Sequence, residues 1–464
     1  MSDLFGSLSI AVRSLLAQEG ALDTTTNNIS NVNTPGSSRQ VPILSEAAPL
    51  DNGQISMGNG VDFKGVQSVR DNVLELRIDQ ETQQQNQLQT YVSSMDQVQS
   101  LFSDTEGSGI SDAVNQFFSS FQELADNPTD TSTRQSVIAA GQNLAAAFQQ
   151  TGQQLTSLRG GLDQQVSQTV SEINSDASQL ASLNLQVSSA GSNTEQAGMI
   201  EDQQYSLLND LSQFVDVAVT RTNNGSLTIT TSNGVPLVAG NQSFALSTQV
   251  NPSTGYQDVY SQVNDVTAEF TGGQLAGLLQ ARDDAIPAIQ SNLDNLAAGI
   301  ISAVNLQNQK GYNLNGVKGG NLFQPVVQSS SGSNAGAAEN MAMATTDPSQ
   351  IAASADGTSG DNAKALALAN IATLAIVNGQ TATTFYSNIV SQVGTDVESA
   401  QDEEESVGLV ITQLQNQRSN TSGVSLDEEA ANLIQYQRAY EAAAEVVSAI
   451  NNISNDFLTV IEVS

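Results

Sequence analysis

The chain has 464 residues, 48 of them acidic and 14 basic, for a net charge of −34, which argues against nucleic acid or an anionic membrane as its partner. With no Cys and no His it excludes thiol nucleophiles, His-based triads, disulfides and the usual zinc sites. Charged residues are only 13% of the total, about half the usual share, so Gln, Asn, Ser and Thr carry the polar surface.

The first element is a heptad helix over roughly residues 4 to 31, with Leu8, Leu15, Leu22 and Ile29 seven apart and Ala11 and Val12 between the first two. The Asn-Val-Asn-Thr-Pro-Gly run before Ser37 ends it. Arg13 and Glu19 interrupt its apolar part, and it lacks a basic start, so it is no Sec signal peptide. No stretch reaches the roughly 18 apolar residues of a membrane span, so no membrane insertion is expected.

Residues 33 to 70 hold Pro35, Gly36, Pro42, Pro49, Gly53, Gly58, Gly60 and Gly65, which forbid a long helix. Gln54–Met57 and Val61–Val66 alternate like short strands of an extended arm. Helix returns near Asp71, where Leu88, Met95 and Phe102 are spaced by seven with Tyr91 and Val98 between. A second helix spans about Ile110 to Ala125, with Val114, Phe117, Phe121 and Leu124 on one face. Another long helical region covers about Asp130 to Val187, with Gly160-Gly161 expected to break or kink it.

Residues 215 to 270 change period. Val217, Val219 and Arg221 alternate, Asn223-Asn224-Gly225 turns the chain, Leu227 and Ile229 alternate, and Ser232-Asn233-Gly234 turns it again. Helix resumes at Gly273, with Pro287 expected to kink its start. The Ser-, Gly-, Ala- and Asn-rich residues 328 to 362 read as a mobile surface loop. Helices follow at about Ala363–Val377 and Thr384–Gln417.

The last stretch, Ser425 to Ile461, repeats the opening pattern. Leu426, Leu433, Tyr440 and Val447 form one row and Tyr436, Ala443, Ile450 and Phe457 another, and Ser425 with Glu428 reads as a capping box. One helix cannot bury such a stripe alone. The expected fold is therefore mainly α with a small β-rich insertion: an elongated multi-domain chain whose terminal helices form a coiled coil around a nested helical bundle. The expected units are 1–65 with 425–464, 66–214 with 271–424, and 215–270. The ends are expected to be mobile in the free chain and helical only against neighbours.

Residues 27 to 40, NNISNVNTPGSSRQ, resemble the N-terminal signature of the axial proteins of the bacterial flagellum, the rod, hook and hook-associated proteins. The positions that carry this are Asn27, Asn28, Ile29, Asn31, Asn33, Thr34, Pro35, Gly36, Arg39 and Gln40. LIQYQRAYEA from Leu433 resembles the same group's C-terminal motif. SLDEEAA from Ser425, GGQLAGLLQARD from Gly272, Gly311–Gly320 leading to Leu322-Phe323, and the run from Leu207 into the β-rich part are similar to the hook-associated protein 1 family within that group. One departure is Ser37, where the family commonly has an aromatic after Pro-Gly.

The resemblance implies a structural role without enzymatic activity or cofactor. It implies a ring of like subunits between the hook protein and the hook-associated protein 3 layer. It further implies export through the flagellar type III apparatus without a cleaved signal, a cytoplasmic export chaperone on the C-terminal helix, and a final place outside the cell. The terminal rows Leu8, Leu15, Leu22, Ile29, Leu426, Leu433, Tyr440, Val447, Ile450 and Phe457 are the expected surface for neighbours and chaperone. The other readings are a hook or rod protein, an adhesin built on the β-rich part, and a glycoside hydrolase using two carboxylates. No local pattern isolates such a carboxylate pair, and SLDEEAA and GGQLAGLLQARD set the chain apart from hook and rod proteins. Asp402–Glu405 read as a solvated helix face, and Asp356-Gly357 with Asp361-Asn362 as turns without the spacing of a calcium loop.

Overall fold

The computed structural model describes residues 2–34, 37–51, 56–102, 109–190, 195–222, 224–327 and 333–462. Within them the side chains of 2–5, 50, 51, 56, 57, 195, 457, 458 and 460–462 are not described. Pro35, Gly36, Asn223 and the side chain of Phe457 therefore lie outside the described residues.

Helix α1 spans Ser2–Ser30. Strands β1 (Gln40–Glu46) and β4 (Val61–Ser68) pair antiparallel from Gln40↔Ser68 to Glu46↔Val61, and β2 (Leu50–Asp51) pairs with β3 (Ser56–Met57) at the tip. This hairpin lies on α1. The Phe63 ring sits so close to Gly20 that a Cβ there would stand 2.8 Å from it, and Arg13 reaches Asp62 at 2.8 Å.

Asp71 caps α2 (Asn72–Leu101) by accepting the Val73 and Leu74 N–H groups, which are otherwise unpaired at a helix start. The amphipathic α3 (Ile110–Asp126) turns Phe117, Phe121 and Leu124 fully inward. Phe117 packs edge-on against Phe121 at 5.2 Å and Phe323 at 5.3 Å. Helix α4 (Thr131–Ala190) has 60 residues, so it is about 90 Å long. It continues through Gly160 and Gly161, contrary to the expected break. Nothing lies within 4 Å of where their Cβ atoms would be, so the site costs helix propensity and no packing.

Helix α5 (Glu195–Phe214) leads into the β-rich part. Strands β5 (Ala218–Arg221), β6 (Leu227–Thr230), β7 (Pro236–Ala239) and β8 (Gln242–Ser243) form a meander in sequence order. Strands β9 (Leu246–Val250), β10 (Gln257–Ser261) and β11 (Asn264–Asp265) form a second small sheet with β10 central. Then α6 (Gly273–Leu279) passes through a π-helical turn, Gln280–Ala285, into α7 (Ile286–Gln309). Pro287 falls just after that wider turn, where its missing N–H and its ring are accommodated.

Residues 333–362 correct the mobile-loop expectation. Met341, Ile351, Ala352 and Ala353 are buried, and the Asp294 carboxylate accepts the N–H groups of Gly336 and Ala338 at 2.9 Å each. Small side chains here serve close packing, a use that composition alone does not separate from disorder. Helix α8 (Ala363–Ala369) ends earlier than expected in a 3-10 turn, Asn370–Thr373. Helix α9 (Ala382–Ser422) runs along α2, and α10 (Leu426–Glu462) closes the chain against α1. Asp356 and Asp361 accept nearby backbone N–H groups in tight turns.

Uncharged polar composition has a structural use. The side-chain amides of Asn28, Asn174 and Asn184 each pair both with the N–H and with the C=O of one extended residue: Gln40, Leu246 and Leu227. Asn305 does the same with Phe323. A buried amide thereby supplies the two bonds a neighbouring strand would give, without the cost of burying a charge.

Candidate assembly site: the paired chain ends

Helices α1 and α10 pack along each other. Asn28 near the end of α1 touches Glu429 near the start of α10, so they run antiparallel. In a single chain the two ends are thus already helical, each the other's partner, which corrects the expectation of ends without helix until neighbours arrive.

The buried face of α1 is Ala11, Ala17, Ala21, Thr24, Thr25 and Asn28. Leu8, Leu15, Leu22 and Ile29 flank it and are half-buried. On α10 the seam row is Glu429, half-buried Tyr436, Ala443 and Ile450, seven apart. Leu433, Tyr440 and Val447 are half-buried beside it, and Leu426 is exposed. Other apolar side chains of the pair stay open to solvent: Leu16 is 59% exposed, Ile434 58% and Ile453 54%, with Val12 and Val446 also open.

The signature loop meets the C-terminal motif at this seam. Asn28 Nδ2 donates to the Gln40 carbonyl at 2.8 Å and to Glu429 Oε2 at 3.3 Å, and its Oδ1 accepts the Gln40 N–H at 2.9 Å. Arg39 Nε donates to Glu429 at 2.8 Å and its terminal nitrogen to Glu428 at 2.9 Å. Glu428 thus faces Arg39. Burial opposes the Arg39 charge, but the bonds to the two glutamates outweigh it and hold its pKa above the ordinary value. Asn31 donates to Asn27 at 2.5 Å, and Asn33 and Thr34 are exposed. The Ser37 hydroxyl donates to the Asn31 carbonyl at 3.0 Å, so a hydrogen bond closes the loop at the position where the sequence departs from the family.

The loop is tied to the body as well. Ser38 donates its N–H and hydroxyl to Asp202, which also takes Arg70 at 2.7 Å. Burial raises the Asp202 pKa despite these donors. Arg70 stacks on Tyr205 at 3.8 Å, and Arg221 of the β-rich part approaches the same ring at 4.9 Å. The Arg39 N–H donates to the Ser422 carbonyl at the end of α9. Glu429, Asp202 and Tyr205 escaped the sequence reading. The signal for Glu429 was its place one heptad before Tyr436.

Among the described residues no group of three or more His, Cys, Asp or Glu side chains could hold a metal, and no helix is long and apolar enough to cross a membrane.

Residues 95–323 match the family model of the helical domain of flagellar hook-associated protein FlgK. Residues 8–36 match that of flagella basal body rod proteins, and 415–459 that of the C-terminal region of the flagellar basal body rod FlgEFG proteins. The chain is 29% identical to flagellar hook-associated protein 1 of Bacillus subtilis, over 97% of this chain and 96% of the relative. It is 26% identical to that of Salmonella typhimurium, over 97% and 99%. The latter alignment runs over 547 positions, so that relative carries segments this 464-residue chain lacks. In fold the chain is similar to the flagellar hook junction protein FlgK from Burkholderia pseudomallei, with a TM-score of 0.67 and 20% identity, covering 75% of this chain and 100% of that one. The matched regions include the helical body and both halves of the α1–α10 pair, and the full-length likenesses bear one name: the chain belongs to the flagellar hook-associated protein 1 family.

Proposed function

We propose that the chain is a structural subunit of the hook–filament junction of the bacterial flagellum. Copies form a ring on the hook, and the next junction protein and the filament assemble on that ring. The observation that carries this is the apolar surface that the paired ends leave in water: Leu16, Ile434, Val446 and Ile453 are each exposed by half or more. Burying such side chains against neighbours contributes roughly 1.5 to 3 kcal/mol each. In this reading residues 1–65 with 425–464 form the inner column, 66–214 with 271–424 the helical body, and 215–270 the outward β-rich part. The half-buried rows Leu8, Leu15, Leu22, Ile29 and Leu433, Tyr440, Val447 border the inter-subunit contact. The hook protein lies on one side of the ring and hook-associated protein 3 on the other. Before export through the type III apparatus, without a cleaved signal, a chaperone covers the C-terminal helix. Deleting the gene tests the reading: a junction subunit predicts hooks without filaments and flagellin lost to the medium, and normal filaments in the deletion would end it.

A further inference from the structure

We propose that Glu429, held by Asn28 and Arg39, sets the register in which the two terminal helices pair. The fully buried positions of α1 offer little else to set it. The α1 face is made of Ala11, Ala17, Ala21, Thr24 and Thr25 before Asn28. The Thr24 and Thr25 hydroxyls are returned to their own helix, at Gly20 and Ala21. The larger Leu8, Leu15, Leu22 and Ile29 flanking this face repeat every seven residues, so a slip of one heptad replaces each by the next. Counting heptads in opposite directions from Asn28–Glu429 sets buried Ala21 against Tyr436, half-buried Ser14 against Ala443 and, at the exposed end of the count, Ser7 against Ile450. A slip of one heptad puts Ser7 opposite Ala443 and Ser14 opposite Tyr436, which fit about as well. The same slip puts Glu429 opposite Ala21, away from Asn28.

The side chain of Glu429 is 2% exposed, and in the register slipped toward Ala21 it becomes a buried carboxylate away from Asn28 and Arg39. A buried polar group at one seam position is a known means of choosing one register among several apolar equivalents. Here the neutralising cation comes from neither helix. Arg39 sits on the arm, whose backbone is bonded to Ser422 and whose neighbour Ser38 is bonded to Asp202. The helix pair therefore closes in its native register only with the arm docked on the body. One chain closing on itself needs no neighbour, so this register is set whether or not copies assemble into a ring.

The chain has no Cys, so two introduced thiols report register in the full-length protein at high dilution. Ser14→Cys with Ala443→Cys reports the native register, and Ser7→Cys with Ala443→Cys the slipped one. With the pin intact only the first pair should oxidise within the chain. With Asn28→Leu and Glu429→Leu the slipped pair should gain on the order of ten-fold in rate. Arg39→Ala should cut native trapping on the order of ten-fold, and adding Glu429→Gln should restore it, because an amide bonds to Asn28 without a charge to neutralise. Trapping confined to the native pair in the leucine background, or no recovery with Glu429→Gln, overturns the proposal. If the leucine background loses both cross-links, the Arg39→Ala comparison decides alone.

Discussion

Arg418 in α9 reaches Glu75 in α2, its Nε 2.9 Å from the carboxylate. One helical turn on, Asp79 is buried where α2 meets α5, with one oxygen at 3.5 Å from Asn209 and the other without a hydrogen-bond partner among the described residues. Burial pushes its pKa up to about 7. Glu75 adds to that, while the Asn209 bond and the charges of Arg418 and Arg70 oppose it.

Asp79 makes stability fall with pH. Its folded pKa lies above the unfolded value, so between about pH 4 and about pH 7 the folded state holds the extra proton. Its stabilising share is whole below about pH 4 and is lost as pH rises through about 7. The loss is at most about 4 kcal/mol. Asp79→Asn should flatten this slope and gain most over the parent near pH 8. Urea unfolding from pH 4 to 8 measures it, and parallel curves for the two proteins would refute it.

Arg134 is buried with no carboxylate paired to it among the described residues. Its guanidinium donates to the carbonyls of Pro128, Pro348 and Ile351, the last at 2.7 Å, and burial pulls its pKa down to about 10. It pins the segment before α8 to the start of α4. Arg134→Met leaves those carbonyls without their donors and should cost about 3 kcal/mol in denaturant unfolding. Lys should rescue little, because one ammonium cannot span the set.

Two glycine sites should respond with opposite signs. In GGQLAGLLQARD, a Cβ at Gly277 would stand 2.4 Å from the Gln87 carbonyl oxygen of α2. Gly273 has φ +73° and backbone of Val215 equally near. Gly277→Ala should destabilise by about 2 to 3 kcal/mol through backbone overlap. Gly161→Ala, in open space within α4, should stabilise by about 1 kcal/mol. Thermal melts of both variants read the contrast.

These sites mark what the sequence discloses. The faces of α3 and α7 were legible because Phe117, Phe121 and Leu293 repeat at helical spacing and are large. The α1 seam was not, because Ala17 and Ala21 carry too little apolar weight to outrank the Leu8–Leu15–Leu22 row beside them. Glu429 was hidden by its charge, since a pattern rule assigns Glu to solvent and cannot see Arg39 arriving from another element. The packed segment around Met341 looked like a loop because Ala, Gly and Ser serve close approach and mobility equally well.

The exposed apolar side chains of the terminal helices can be separated from the seam. Ile434 and Ile453 are 58% and 54% exposed, so glutamates there should leave monomer stability within about 0.5 kcal/mol of the parent. Leu433 and Val447 are half-buried beside α1, and glutamates there should also loosen the helix pair. Both double variants should fail to incorporate and leave cells with bare hooks. Only Leu433→Glu with Val447→Glu should lower the helical signal of the purified chain. Circular dichroism with filament counts on complemented deletion cells distinguishes them. Normal filaments with Ile434→Glu and Ile453→Glu would mean that these exposed side chains are not where neighbouring subunits pack.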